Sequence, residues 1–385
     1  MRVLITGARG FIAKNLIATL ENITAGKDGT YCLSEEISLY KYSRDLGKET
    51  LQVFCRDCDF VFYLAGVNRP RDPDEYWEGN VLLLKYMLEA LKDQMNCCPI
   101  MYASSIHAES KNPYGESKRA GEELLYQYSK DTGVPVYIYR LPNVFGKWSR
   151  PNYNSVVATF CYNLARDLPI QIHQPEKKLE LVYIDDVVRT LVNLLSVVEH
   201  GDMKNPISMK DIYHVSLQEI ADLLASFKRS RVDGQIPDMK AESFSQRLYS
   251  TYLTYLPKEQ IKYPCIMNRD SRGSFTELFR TEDRGQVSVN VTKPGFVKGE
   301  HWHHTKNEKF IVVKGTGLIR LRKIDSNEIL DFHVSGEIIE VVDIPAGYAH
   351  NIINIGEEDL VTIMWASECF HREMPDTFSL KVEEE

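Results

Sequence analysis

The sequence has no run of about eighteen apolar residues, which excludes a hydrophobic membrane-spanning helix. It also lacks an excess of positive charge. With 46 Lys and Arg against 54 Asp and Glu, the formal charge is −8. This argues against a protein whose main business is holding nucleic-acid phosphates, and the one basic cluster, 228–231, reads as a solvated helix end. The first residues, MRVLITG, go straight into an apolar strand without the basic head, apolar middle and small-residue cleavage site of a secretory signal. A cytoplasmic protein is expected. The eight cysteines make neither a zinc ribbon nor a disulfide framework, since Cys55 and Cys58 have no second pair and Cys97 and Cys98 are adjacent. In a reducing compartment they read as small buried apolar residues. Internal repeats and low-complexity tracts are absent.

What is present is globular: 43% apolar and 26% charged residues over 385 positions, enough for two cores. The first half alternates strand patterns at 2–6, 60–64, 100–104 and 136–140 with helical patterns at 11–20, 76–91 and 116–130. Such alternation predicts a parallel α/β sheet of Rossmann type, with a crevice at the carboxyl ends of its strands. From 232 to 264 the pattern weakens. Beyond that, short β-rich runs at 286–292, 309–313, 317–322, 338–344 and 360–365 are separated by glycine-containing turns, the texture of an antiparallel barrel or jelly roll. The expected division is 1–244, a connector over 245–265, and an all-β domain over 266–385.

Thr6-Gly7-Ala8-Arg9-Gly10-Phe11-Ile12-Ala13 follows a strand and opens a helix. Gly7 permits the tight turn, Gly10 lets the backbone approach a pyrophosphate, and Ala13 lets the helix pack close to the strand. The first-turn N–H groups supply positive potential for phosphates. Beyond the second strand, Leu39-Tyr40-Lys41-Tyr42-Ser43-Arg44 offers bases where an NAD site usually has an acid, and Arg9 adds another. Positive groups suit a 2′-phosphate, so NADPH is the expected cofactor.

Tyr114 and Lys118 stand four apart, on one face of a helix whose start is marked by Pro113 and Gly115. A phenol with a pKa near 10 is a poor acid–base group unless a cation stabilises its phenolate. Lys118 would do so and would also reach a nicotinamide ribose. Ser105, or Ser104, ends the preceding strand and could hold a substrate carbonyl. Tyr126 and Lys130 repeat the spacing farther along the helix, where tyrosine is more simply a packing residue.

In the second half, His301 and His303 share a strand face. Glu308 and His350 complete a set of three imidazoles and one carboxylate, suited to zinc, manganese or iron(II).

With these residues in view, the first half resembles the extended short-chain dehydrogenase/reductase family that handles nucleotide sugars. Tyr63-Leu64-Ala65-Gly66, Arg140-Leu141-Pro142-Asn143-Val144-Phe145-Gly146 and Val182-Tyr183-Ile184-Asp185-Asp186 also carry the likeness. The resemblance implies that Leu64 and Ala65 border the cofactor with Gly7, Arg9, Gly10, Phe11, Ile12 and Arg44, and that Asn143 helps hold the diphosphate-sugar side. The gap from Ser105 to Tyr114 is shorter than usual in that family. The histidine and glutamate spacings resemble both cupin motifs. Asp270-Ser271-Arg272-Gly273-Ser274-Phe275-Thr276-Glu277 and Lys298-Gly299-Glu300-His301 resemble the deoxysugar-nucleotide 3,5-epimerase cupins. By that likeness His301 is a metal ligand or a catalytic base, the ligand being preferred, with Lys298 and His304 as acid–base candidates and Arg272 on the substrate.

Over its whole length the chain resembles the bifunctional capsular-polysaccharide enzymes that form UDP-2-acetamido-2,6-dideoxy-L-talose, a precursor of N-acetyl-L-fucosamine. Phe145-Gly146-Lys147-Trp148, Pro151-Asn152-Tyr153-Asn154-Ser155 and His301-Trp302-His303-His304-Thr305-Lys306-Asn307-Glu308 carry this likeness, which places Lys147 at the substrate. It implies that the cupin epimerises C3 of a UDP-linked 4-keto-6-deoxy-N-acetylamino sugar and that the reductase then reduces C4. It also implies zinc and a homodimer or higher homo-oligomer. Rival expectations are a non-catalytic cupin for dimerisation or sensing, an iron(II) oxygenase cupin, and an NADPH-binding redox sensor.

Overall fold

The computed structural model describes residues 1–31, 33, 36–196 and 206–383. The chain forms two compact units, Met1–Leu224 with Arg247–Leu256, and Ala225–Gln246 with Pro257–Glu385.

The first unit begins with β1 (Arg2–Thr6), α1 (Phe11–Thr24), β2 (Ser38–Tyr42), α2 (Gly47–Asp57), β3 (Phe60–Tyr63), α3 (Asp74–Trp77), α4 (Leu83–Asp93), β4 (Ile100–Ser105), α5 (Pro113–Thr132) and β5 (Val136–Leu141). It continues through β6 (Asn143–Phe145), α6 (Val156–Leu164), β7 (Lys178–Tyr183), α7 (Ile184–Leu194), β8 (Ile207–Ser208) and β9 (Tyr213–Ser216), and the division falls within α8 (Leu217–Asp233). The main sheet runs β2-β1-β3-β4-β5-β8 with every pair parallel. This is a Rossmann-like sheet. Its central strands are apolar at nearly every position because helices cover both faces: Val3, Leu4, Ile5, Val61 and Phe62 are fully buried. The strand order turns back between β1 and β3, which opens the crevice beside the glycine turn.

Three differences from the sequence reading matter. The helix expected over 76–91 is broken by a π turn, Glu78–Leu82, between α3 and α4. Within the expected connector, α9 (Phe244–Leu253) buries Leu248, Thr251 and Tyr252, and Arg247 donates to Asp186 at 3.1 Å. A short α10 (Lys258–Ile261) follows. Finally, the cysteines are not uniformly buried. Cys55, Cys58, Cys98 and Cys161 are, but Cys97 and Cys265 are exposed because each lies outside helix and strand. Cys32 lies outside the described residues.

The second unit is built of β10 (Met267–Asp270), β11 (Gly273–Arg280), β12 (Gln286–Thr292), β13 (Val297–Trp302), β14 (Glu308–Lys314), β15 (Thr316–Lys323), β16 (Ile329–Ser335), β17 (Val341–Ile344), β18 (Tyr348–Asn354), β19 (Leu360–Ala366) and β20 (Phe378–Ser379). They form two antiparallel sheets, β10-β11-β12-β19-β14-β17 and β16-β15-β18-β13-β20. Residues alternate between inside and outside along β12, as a sheet with one covered face requires. Phe310, Val312, Ile319, Leu321, Ile344, Ile352 and Leu360 fill the core. The strand expected over 338–344 starts only at Val341, and Ile338 and Ile339 are exposed. Among the described residues no helix is long and apolar enough to cross a membrane.

Leu360 is fully buried in this core, so Leu360→Ala leaves a cavity. Urea unfolding of the second unit should show a loss of about 2–5 kcal/mol.

Candidate active site and candidate metal centre

At the carboxyl end of β1 the chain must turn within three residues to start α1. Gly7 does this at φ 65°, and a side chain there would put Cβ 2.8 Å from Ala65 Cα. Thr6 ties the two segments together, its Oγ1 accepting from Leu64 N and Ala65 N at 3.1 Å each. Gly10 is the N-cap of α1 and supplies no side-chain cap, so the first-turn N–H groups of Phe11 and Ile12 offer positive potential at the crevice. This cradle fits a dinucleotide pyrophosphate. Arg9 stands in the glycine turn and Arg44 just beyond β2, but Asp45 is there too. It pairs with Arg9 at 2.8 Å and accepts from the Ser43 hydroxyl at 2.7 Å. The pair is exposed, hence weak and easily exchanged.

Tyr114 and Lys118 lie in the first two turns of α5. Pro113 opens the helix and the Asn112 side chain accepts from Gly115 N at 2.9 Å. A Cβ at Gly115 would sit 2.2 Å from the His107 carbonyl, so only glycine lets the helix start abut the turn after β4. That approach carries Tyr114 to Ser105. Burial pushes the Tyr114 phenol above its ordinary value, and its hydrogen bond with Ser105 pulls it back. The short gap between the two is spanned by a single 3-10 turn, Ile106–Glu109.

Ser104, one residue earlier, points the other way. Its hydroxyl donates to Glu122 at 2.5 Å, and Glu122 is also held by two Arg140 contacts at 2.9 and 2.7 Å.

Lys118 is fully enclosed. Its Nζ donates to the Ala103 carbonyl at 2.8 Å and lies 5.0 Å from the Tyr102 ring centre, so the ammonium is turned to these groups. Burial lowers its pKa to about 8, against the attraction of Glu122. Tyr126, in the second Tyr/Lys pair, packs against the core.

Asn80 escaped the sequence reading. Its amide donates to Ser117 Oγ at 2.9 Å and to Val67 O at 3.0 Å, while its Oδ1 accepts from Val67 N at 2.7 Å. A Cβ on Gly66 would sit 3.2 Å from Asn80 Oδ1 and 3.3 Å from Lys118 Nζ, so the three groups share one corner. The available signal was a polar residue on the otherwise apolar face of a helix. Asn143 is exposed and donates to Glu180 O at 3.2 Å. Lys147 pairs with Asp185 and lies 5.6 Å from the Trp148 ring centre.

In the second unit, β13, β14 and β18 bring His301, His303, Glu308 and His350 together, with one ligand atom of each within 4.8 Å of the others. Glu308 Oε2 lies 3.1 Å from His350 Nε2 and 3.5 Å from His303 Nε2. All three atoms are buried and without a hydrogen-bond partner. Orphaned donor atoms facing one another are costly, and three imidazoles with one carboxylate fit a divalent metal. Burial would raise the Glu308 pKa, but the two histidines hold it well below the carboxylate range. Burial, aided by repulsion from His350, lowers His301 to about 4, so its imidazole is neutral at neutral pH.

His301 also lines a cavity of about 330 Å³ with Asp270, Arg272, Asn290, Lys298 and Phe310. Arg272 is paired to Asp270 there at 2.7 Å. Lys298 has three acceptors, Ser274 O, Asn290 Oδ1 and Val291 O, at 2.8–3.1 Å. All its protons are engaged, which suits an ammonium and not a base, although burial lowers its pKa. His304 is not brought to the cavity. It lies in the bend just past β13, exposed, and packs on Trp302 and Phe378.

Residues 3–209 match the NAD dependent epimerase/dehydratase family, and residues 268–378 match the Polysaccharide biosynthesis C-terminal domain. The chain belongs to the NAD dependent epimerase/dehydratase family. It is 42% identical, over the full length of both chains, to the UDP-2-acetamido-2,6-beta-L-arabino-hexul-4-ose reductase of Pseudomonas aeruginosa. The crystal structure of the capsular polysaccharide assembling protein CapF from Staphylococcus aureus is similar with a TM-score of 0.88 and 45% identity, covering 99% of this chain and 100% of that one. RMD from Pseudomonas aeruginosa, solved with NADPH, shares the fold of the first unit (TM-score 0.52, 21% identity, 65% of this chain and 98% of that one).

Two outcomes follow from this geometry. The Lys118 ammonium is present below pH 8 and lost as the pH rises through about 8. Affinity for a reduced dinucleotide, read by its fluorescence, should therefore fall across that range, and Lys118→Met should abolish the dependence. His350→Ala or Glu308→Ala should abolish stoichiometric metal in elemental analysis; unchanged content would refute the ligand set.

Proposed function

We propose that the protein is a bifunctional nucleotide-sugar enzyme. Its first unit reduces the C4 ketone of a UDP-linked 4-keto-6-deoxy-N-acetylamino sugar with NADPH, and its second unit, a cupin, epimerises C3 of the same ketone. The product would be a UDP-2-acetamido-2,6-dideoxy-L-talose for capsule polysaccharide synthesis, made by a homodimer or higher homo-oligomer. The observation that carries this reading is the full-length 42% identity to a protein named as a reductase of such a 4-ketosugar.

In the reductase unit, the Gly7–Gly10 turn holds the cofactor phosphates, with Arg9 and Arg44 placed for a 2′-phosphate. The dinucleotide supplies the hydride. Ser105 and Tyr114 hold the C4 oxygen. Tyr114 gives it a proton, and Lys118 keeps positive charge beside the cofactor ribose. Asn143 and Lys147 face the diphosphate-sugar side.

In the second unit, His301, His303, Glu308 and His350 would hold zinc, or manganese or iron(II), which supplies Lewis acidity when bound. The ketone makes the neighbouring C3–H acidic, and the cavity beside His301 admits the sugar. Arg272 and the Lys298 ammonium place positive charge where an enolate oxygen would develop. His301, neutral at neutral pH, has a lone pair to use as a metal ligand or as the base at C3.

Incubating the protein with the 4-keto nucleotide sugar in heavy water without NADPH should place deuterium at C3, and adding NADPH should give the reduced sugar, both read by NMR. Tyr114→Phe should oxidise NADPH on the order of 100-fold more slowly while deuterium still enters. A protein that neither exchanges the hydrogen nor consumes NADPH refutes both halves of the proposal.

A further inference from the structure

The metal cluster is bordered by a segment that none of the expected motifs contains. Residues 375–379 cross beside the turn that joins β13 to β14 and then add β20 to the edge of β13, pairing Phe378 with Trp302 and Ser379 with His301. Asp376 is the residue this crossing is built around. Its carboxylate accepts four hydrogen bonds from three consecutive residues: His304 N at 2.9 Å, Thr305 N at 3.0 Å, Thr305 Oγ1 at 3.1 Å and Lys306 N at 3.0 Å. Lys306, itself buried, donates its Nζ to the Pro375 carbonyl at 3.0 Å. Asp376 adopts φ 40°, in the left-handed region that non-glycine residues rarely occupy. Its surroundings therefore over-determine the conformation.

The same residue touches a metal-ligand candidate from behind. The Asp376 carbonyl oxygen lies 2.5 Å from Nδ1 of His303. A carbonyl only accepts, so His303 must carry a proton on Nδ1, and in the neutral imidazole the lone pair is then on Nε2. Nε2 is the atom that faces Glu308 Oε2 and has no hydrogen-bond partner. Downstream, the crossing is held by Leu380 N to the Glu300 carbonyl at 3.0 Å and by Val382 N to Glu300 Oε2 at 2.7 Å. Arg322 adds bonds to the carbonyls of Lys381 and Val382 at 2.9 and 2.7 Å.

We propose that Asp376 is a positioning residue of the metal centre: its carboxylate locks the 304–306 turn and its carbonyl fixes the tautomer and orientation of His303. The inference rests on the metal reading given above. Outer partners of this kind set the basicity and aim of a ligand, and losing one weakens metal binding by about 10- to 100-fold.

The test uses the full-length protein with zinc or cobalt(II) alone. Asp376→Ala should weaken zinc binding, measured by chelator competition, on the order of 10- to 100-fold and shift the visible spectrum of the cobalt form. Asp376→Asn, which keeps the shape but must turn its amide NH2 toward at least one backbone N–H donor, that of His304, should do the same to a smaller degree and serves if the alanine variant does not fold. In the metal-free wild type, nitrogen-15 NMR should find His303 protonated on Nδ1. Equal zinc affinity and an unchanged cobalt spectrum in a folded variant, even one with a lowered melting temperature, overturn the positioning role and leave the metal reading intact. A wild type that binds neither metal overturns both.

Discussion

A charged group can be taken out of water only where other groups replace the water. The first unit is organised around that constraint at Lys118. Its ammonium is enclosed between the Ala103 carbonyl, the Tyr102 ring and, one turn on, Glu122. Glu122 is itself buried and is secured by Ser104 and by Arg140. These partners come from β4, α5 and β5, so the three elements cannot shift independently without stranding a charge. The same arrangement sorts the two serines at the end of β4: Ser104 serves the buried carboxylate, and Ser105 turns away from it and accepts from His107 N.

The second unit meets the same constraint with different chemistry. Its buried imidazoles and carboxylate face one another, and their lone pairs are unsatisfied by the protein. The positive charge in the neighbouring cavity is handled more conservatively. Lys298 is surrounded by acceptors and Arg272 is paired with Asp270. One cluster thus holds positive charge steadied by its own partners, while the other concentrates ligand atoms that call for a cation.

Much of this was legible in the sequence because the signals are local. A glycine turn between strand and helix, a tyrosine and lysine four apart, and two histidines two apart each follow from the geometry of a single element. The strands at 2–6 and 286–292 could be read to the residue from their patterning. What escaped depends on contacts far apart in the chain. The short Ser105–Tyr114 gap looked like a departure, yet one 3-10 turn and the bare Cα of Gly115 are enough to close it. His304, read as an acid–base candidate, sits exposed in the bend just past β13. Asp45, three residues past β2, was overlooked beside the more conspicuous bases, and Asp376 reaches the histidine turn from some seventy residues away.

The π turn at Glu78–Leu82 has its own implication for how this chain tolerates length change. A π turn holds one residue more than an α-helical turn, so removing a single residue there would regularise the helix. Because the wider turn already absorbs the extra residue, the flanking helical turns would keep nearly their present phase, and the change would fall on the turn itself. Asn80 would leave the corner it shares with Gly66 and Lys118. A shortening that looks harmless by helix propensity would thus separate the local gain in regularity from the integrity of the pocket, which makes the irregular turn the better compromise.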